Sequence, residues 1–124
     1  MLLKDKVCVI TGAASLRSIG FATADLFAEH EAKVVVVDLL MDDRVLGDIR
    51  AAIEGRLNRP VTVHGLRCDI SQSEDCEQMI QSVLNLHGTI DCLVNSAGIV
   101  RTRPMLEIES KELDLMLDIN LKGA

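Results

Sequence analysis

Apolar residues in this chain fall into short, near-continuous runs separated by longer amphipathic segments. Val7–Thr11 is the first run, and Lys33–Asp38, with four valines in a row, is the second. Runs this short, rich in β-branched residues and without a polar alternate, predict strands buried on both faces of a parallel sheet. Val61–Arg67, where Val61 and Val63 alternate, and Ile90–Asn95 predict a third and a fourth strand. Between the runs the apolar spacing lengthens to that of a helix. One helix is predicted from Ser18 to about Glu29, with Ile19, Ala22, Leu26 and Phe27 facing inward. A second runs from about Asp42 to Leu57 and carries Val45, Ile49, Ala52 and Ile53 at helical spacing. Gly55 weakens its last turn, and Pro60 blocks its continuation. A third ends at about His87, before Gly88, and turns Cys76, Met79, Ile80, Val83 and Leu84 inward. Ser71-Gln72-Ser73-Glu74 fits a capping box at its start. A polar loop from Ser96 carries Arg101, Arg103 and Pro104. Ser110 then caps a last helix with Leu113, Leu117, Asn120, Leu121 and Ala124 on one side.

Strands alternating with helices imply right-handed crossovers and an α/β, doubly wound parallel sheet. The expected strand order is 3-2-1-4, in one domain spanning residues 1–124. Such a sheet gathers the C-terminal strand ends, and with them Gly12, Asp38, Asp69 and Asn95, at one edge where ligands bind.

Residues at that edge suggest which ligand. After Thr11 comes a loop from Gly12 to Gly20 that does not fit G-x-G-x-x-G: five residues separate Gly12 from Ser18, and one more precedes Gly20. Gly12 permits a tight turn, and Gly20 lets a helix pack closely on a strand. Ser18 can cap that helix and donate to a phosphate oxygen. Strand, glycine turn and helix start together aim backbone N–H groups at a pyrophosphate. An ordinary small-residue loop would read the same way taken alone. Asp38 adds weight, because it lies 18 residues after Gly20, close to the roughly 20-residue spacing of an acid that binds the ribose hydroxyls of NAD. A carboxylate there also repels the 2′-phosphate of NADP, whereas Arg17 could neutralise it. NAD is therefore expected over NADP. Asp69 could accept from an adenine amino group, or simply favour the next helix N-terminus. Asn95-Ser96-Ala97-Gly98 could let a flat ligand lie on backbone, or form a plain turn. Asn120 is polar within an apolar stripe. It either ties its helix to a neighbouring backbone or belongs to a proton relay.

Composition narrows the partners. The net charge of −6 disfavours nucleic acid, and Arg50, Arg56, Arg59 and Arg67 are interleaved with acids. No apolar run approaches the roughly 18 residues of a membrane span, and the N-terminus has no signal-peptide pattern. A cytoplasmic protein is the expectation. Cys8, Cys68, Cys76 and Cys92 form no C-x-x-C pair and read as reduced, largely buried thiols. His30, His64 and His87 are far apart in sequence, so no metal site is expected.

With Thr11-Gly12, Asp38, Asp69, Asn95-Ser96-Ala97-Gly98 and Asn120-Leu121-Lys122-Gly123 in hand, the chain resembles the N-terminal half of a classical short-chain dehydrogenase/reductase. That implies a Rossmann-like sheet, incomplete relative to the family. It implies cofactor contacts from Gly12, Ser15, Ser18, Ile19 and Gly20, from Asp38 and Leu39, from Asp69 and Ile70, and from Asn95, Ala97 and Gly98. Asn120 would support the active-site water relay. Ile99-Val100-Arg101 is similar to 3-oxoacyl-carrier-protein reductases. The lengthened loop with Ser18 is similar instead to divergent enoyl-carrier-protein reductases. The implied activity is hydride transfer between a nicotinamide dinucleotide and a ketone or secondary alcohol. The family's catalytic serine and Tyr-x-x-x-Lys follow the asparagine helix, and these 124 residues contain no tyrosine. As a fragment the chain is expected to be inactive alone. The resemblance further implies a homo-oligomer paired through the helix that starts at Ser110. The rival expectation is a non-catalytic dinucleotide-binding or self-associating module.

Overall fold

Two strands, β1 (Val7–Thr11) and β2 (Lys33–Asp38), sit at the centre of a four-stranded sheet in the computed structural model, which describes residues 1–99 and 104–124. β3 (Val63–Arg67) and β4 (Cys92–Val94) flank them in the order β3-β2-β1-β4, all parallel. The 3-2-1-4 order expected from the alternating pattern is the observed one. The register pairs Val7 with Lys33, Cys8 with Cys92 and Val34 with Val63.

Alternate residues of the central strands feed two cores. Cys8, Ile10, Val34, Val36 and Val63 pack with Ala24, Ala28, Ile49 and Ile53 from α1 (Ile19–Glu29) and α2 (Asp43–Leu57). Val7, Val9, Val35 and Val37 pack on the opposite face with Met79 and Val83 of α3 (Ser73–His87). Burial on both faces explains why these strands read as unbroken apolar runs.

The first helix turns a different face inward from the one its large side chains suggested. Gly20, Ala24 and Ala28 are its buried residues, while Ile19 is 79% and Leu26 50% exposed. Ala22 is exposed too, and of the expected stripe only Phe27 packs on the core. Close approach decides the face: a Cβ on Gly20 would stand 2.5 Å from the Gly12 carbonyl oxygen. The third strand begins at Val63, two residues late, because the Val61 N–H turns to the Glu54 carboxylate. The fourth is confined to Cys92–Val94 at the sheet's edge. α2 starts as expected, with Asp42 accepting from the Val45 N–H at 2.8 Å, and α3 ends at Gly88.

The last helix, α4 (Ser110–Leu117), continues into a π-helical turn over Asp118–Lys122. Glu109 rather than Ser110 stands at its N-cap, with no side-chain cap bond. None of its residues is buried, and Leu113, Leu117 and Leu121 are 47%, 42% and 69% exposed. Its apolar side is therefore left part-exposed. No described helix is long and apolar enough to cross a membrane.

Two imidazoles meet at the far end of α3. The His64 and His87 ring centroids are 5.2 Å apart. Burial lowers the His87 pKa from its usual value, and the His64 ring and Lys33 push the same way. A histidine whose folded pKa is depressed stabilises the fold while neutral, and that stability is lost as pH falls below about 6.5. The urea midpoint is therefore expected to drop between pH 7.5 and 5.5. His87→Gln should flatten that drop, and an unaltered slope in the variant would refute the assignment.

Candidate functional site

The C-terminal ends of β1 and β4 are joined by one hydroxyl. Thr11 is 3% exposed, and its Oγ1 accepts from the Ser96 and Ala97 N–H groups, each at 3.1 Å. The same oxygen donates to the Val94 carbonyl at 3.4 Å. An N–H turned into the protein needs an acceptor, and here one side chain of β1 supplies it for two half-buried groups at once. The segment after β4 is thereby pinned against Gly12. A Cβ on Gly12 would come within 2.6 Å of the Ala97 Cα, and the residue has φ +72°. Only glycine combines that backbone angle with that approach.

On the other side of the loop stands Asp38, at the end of β2. Its Oδ2 accepts from the Ala14 N–H at 3.1 Å and its Oδ1 from the Leu40 N–H at 3.0 Å. One carboxylate thus ties the glycine loop to the turn after β2. An ionised carboxylate has about four lone-pair sites, so acceptor capacity remains. Ser18 caps α1 by accepting from the Phe21 N–H at 3.0 Å and donates to the Ser15 carbonyl at 2.7 Å. Ser15 Oγ accepts from the Arg17 N–H at 3.2 Å.

The third corner is built around Asp69. Ser71 does not cap α3. Its hydroxyl donates to Asp69 Oδ1 at 2.6 Å, and its N–H reaches the same oxygen at 3.0 Å. The expected capping box is absent because the first helical bond runs from the Cys76 N–H to the Gln72 carbonyl, so the helix starts one residue past Ser71. Gln72 stands at the N-cap instead, with no side-chain bond.

These corners enclose one cleft of about 460 Å³, lined by Gly12, Ser18, Ile19, Asp38, Leu39, Asp69, Ile70, Ala97 and Gly98 among others. Nine of the twelve candidate cofactor residues therefore meet in one place. Ser15 is exposed outside it, and Gly20 is buried beneath Gly12. Asn95 lines a neighbouring cleft with Thr11, Ile70 and Leu93. Ser96, named within the Asn95–Gly98 segment, lines the main cleft too, and sequence reasoning missed Leu40, Cys68, Ile99 and Ile119, which also line it. Leu40 and Cys68 adjoin residues already named, and adjacency alone was the available signal. Ile119 carried none.

Asn120 binds backbone. Its Oδ1 accepts from the Ile99 N–H at 2.7 Å, and its Nδ2 donates to the Ile99 carbonyl at 2.8 Å. Both amide groups clasp one residue beside the cleft, the tying role offered for it above. Arg101 and Arg103 lie outside the described residues. Burial, with Cys76 beside it, pushes the Cys68 thiol up to about 12. It stays protonated near neutral pH and is a poor nucleophile. No group of three or more metal-ligating side chains occurs among the described residues.

Comparison with known proteins agrees with this arrangement. A family model described as enoyl-(acyl carrier protein) reductase matches residues 12–124. An uncharacterized short-chain type dehydrogenase/reductase of Sinorhizobium fredii is 37% identical over 99% of the chain and 47% of its own length. An NAD-dependent glycerol dehydrogenase of Listeria innocua is 34% identical over 98% of the chain and 44% of its own length. The crystal structure of a short chain dehydrogenase from Mycobacterium smegmatis superposes with TM-score 0.85 at 31% identity, covering 98% of this chain and 49% of that one. The chain thus spans about half the length of the curated relatives it matches.

Thr11→Val keeps the shape and removes the acceptor, leaving two N–H groups without a partner. A loss of about 1–3 kcal/mol is expected, read from denaturant unfolding, with Thr11→Ser recovering most of it. Equal stability of Thr11→Val and the parent would show that the hydroxyl does not hold the two loops.

Proposed function

The chain belongs to the short-chain dehydrogenase/reductase family, and from that premise we propose that it is the dinucleotide-binding half of an NAD-dependent oxidoreductase. The observation that carries the reading is the convergence of the glycine loop, Asp38, Asp69-Ile70 and Ala97-Gly98 on one cleft. Its volume of about 460 Å³ lies within the range of small-molecule sites, about 300–1,000 Å³.

The residues fit a nicotinamide dinucleotide. Ser18 and the first N–H groups of α1 border the cleft where a pyrophosphate would be held. Asp38 would take the adenine ribose hydroxyls on its remaining lone pairs. Leu39 and Ile70 would flank the adenine, and Ala97 and Gly98 would lie along the dinucleotide with no large side chain in the way. Asn95 and Ser15 are proposed as outer members of the same site. Asn120 would hold the Ile99 backbone in place beside the reacting end. When bound, the dinucleotide supplies or accepts the hydride. The substrate proposed for the whole protein is a ketone or secondary alcohol. We also propose self-association through the exposed leucines of α4.

Asp38 supports NAD over NADP because a carboxylate repels a 2′-phosphate. The NAD-dependent glycerol dehydrogenase among its relatives is in keeping with that choice. Asp38→Asn removes the charge and keeps one acceptor oxygen for the loop. The affinity ratio of NADP to NAD should rise about tenfold or more, equivalent to about 1.4 kcal/mol. Titration of both dinucleotides measures it, and an unchanged ratio would sink the assignment.

Carbonyl reduction needs a group that protonates the developing alkoxide. Residues 1–124 contain no tyrosine to do so. As an isolated 124-residue chain the protein is expected to bind dinucleotide without turning it over. Steady oxidation of NADH with a carbonyl substrate, by material whose intact mass is that of this chain, would overturn this expectation.

A further inference from the structure

The three histidines lie far apart along the chain, and the fold brings two of them together. His64 stands on β3, an edge strand of the sheet, and His87 is the last residue of α3. Their ring centroids are 5.2 Å apart, with 61° between the ring planes. Each ring keeps one buried nitrogen, His64 Nδ1 and His87 Nε2, with no hydrogen-bond partner among the described residues. A buried polar atom without a partner is a cost that the fold carries. Neither imidazole serves the cleft, whose walls come from the C-terminal strand ends and the segments after them.

We propose that His64 and His87 are the two protein ligands of a transition-metal site. It takes a divalent cation of the zinc class and clamps the end of α3 to the edge of the sheet. Imidazole nitrogen suits zinc, copper and nickel, whereas calcium and magnesium call for oxygen ligands. Zinc–imidazole bonds are about 2.0–2.1 Å long. Two imidazoles aimed at one tetrahedral ion over that distance hold their centroids about 5 Å apart, which is the separation observed. The lone pair of each buried nitrogen then gains the partner it lacks, and water fills the remaining positions. The ion lies off the last turn of α3, where the carbonyls of a helix end favour positive charge. Lys33, close enough to act on His87, works against a cation. The site is therefore expected to hold its ion more weakly than a closed four-ligand site. Neither ligand has a partner nearby in sequence, because the two come from different elements.

The test titrates the metal-free 124-residue chain with zinc chloride by calorimetry, with magnesium chloride as the control. One zinc per chain is expected and no magnesium, and the urea midpoint should rise as zinc is added. His64→Gln and His87→Gln should each weaken zinc binding about tenfold or more and remove that rise. His30→Gln and Cys76→Ser should leave the affinity within about twofold of the parent. Should a histidine variant fail to fold, nitrogen NMR of the parent decides the matter: zinc should shift the ring resonances of His64 and His87 and leave those of His30 in place. Absence of zinc binding by the parent would overturn the proposal. So would binding that survives both histidine substitutions, binding lost in Cys76→Ser, or zinc that leaves the His64 and His87 resonances unmoved.

Discussion

Two loops from different strands meet over a single hydroxyl, and the cleft exists because of it. Thr11 Oγ1 satisfies the Ser96 and Ala97 N–H groups while lying almost wholly out of water. An unpaired buried N–H carries a penalty of about 1–3 kcal/mol, so the segment after β4 is held where the threonine is. The backbone consequently comes so near Gly12 that no side chain fits between. Gly20 repeats the constraint one layer down, against Gly12 itself. The glycines of this loop thus answer first to the protein's own packing. Room for a ligand follows from it.

Carboxylates complete the frame. Asp38 ends β2 and Asp69 follows β3 by two residues, and each binds the backbone that follows it, Asp38 across to the glycine loop as well. A carboxylate used in this way has capacity left over. The groups best placed to meet a ligand are already immobilised by the fold, which lowers the ordering that binding would otherwise require.

The sheet was legible because its central strands are buried on both sides, and β-branched runs have no other stable place in a small α/β chain. Asp38 and Gly12 were legible because spacing along a strand–turn–helix is set by geometry. Elsewhere local pattern and tertiary contact disagreed. Ile19 and Leu26 looked like core residues, yet the close packing demanded at Gly20 turned the helix onto its small side. Ser71 had the right spacing for a cap, but it belongs to the turn closed on Asp69, and the helix starts one residue later, at Gln72. Asn95 follows its strand at the expected point and faces the neighbouring cleft instead, since which side of a strand end a residue lines depends on the turn that follows. Ile119 reaches the cleft from a helix whose approach no local signal encodes.

Asn120 links these observations to the asymmetry of the chain. Its amide clasps both polar groups of Ile99, so the π-helical turn and the segment after β4 are held as one unit. A π-helical turn is a rare arrangement found frequently at functional sites, and here it brings the asparagine to that backbone. Yet α4, which carries the turn, buries none of its own residues, and its leucines stay exposed. The turn at its end is fastened to the backbone beside the cleft through Asn120, while the leucines of the helix stay part-exposed. The side of the cleft at the end of β2 stands on two packed cores. The end beside Asn120 rests chiefly on hydrogen bonds, and that end is where the fold is expected to yield first.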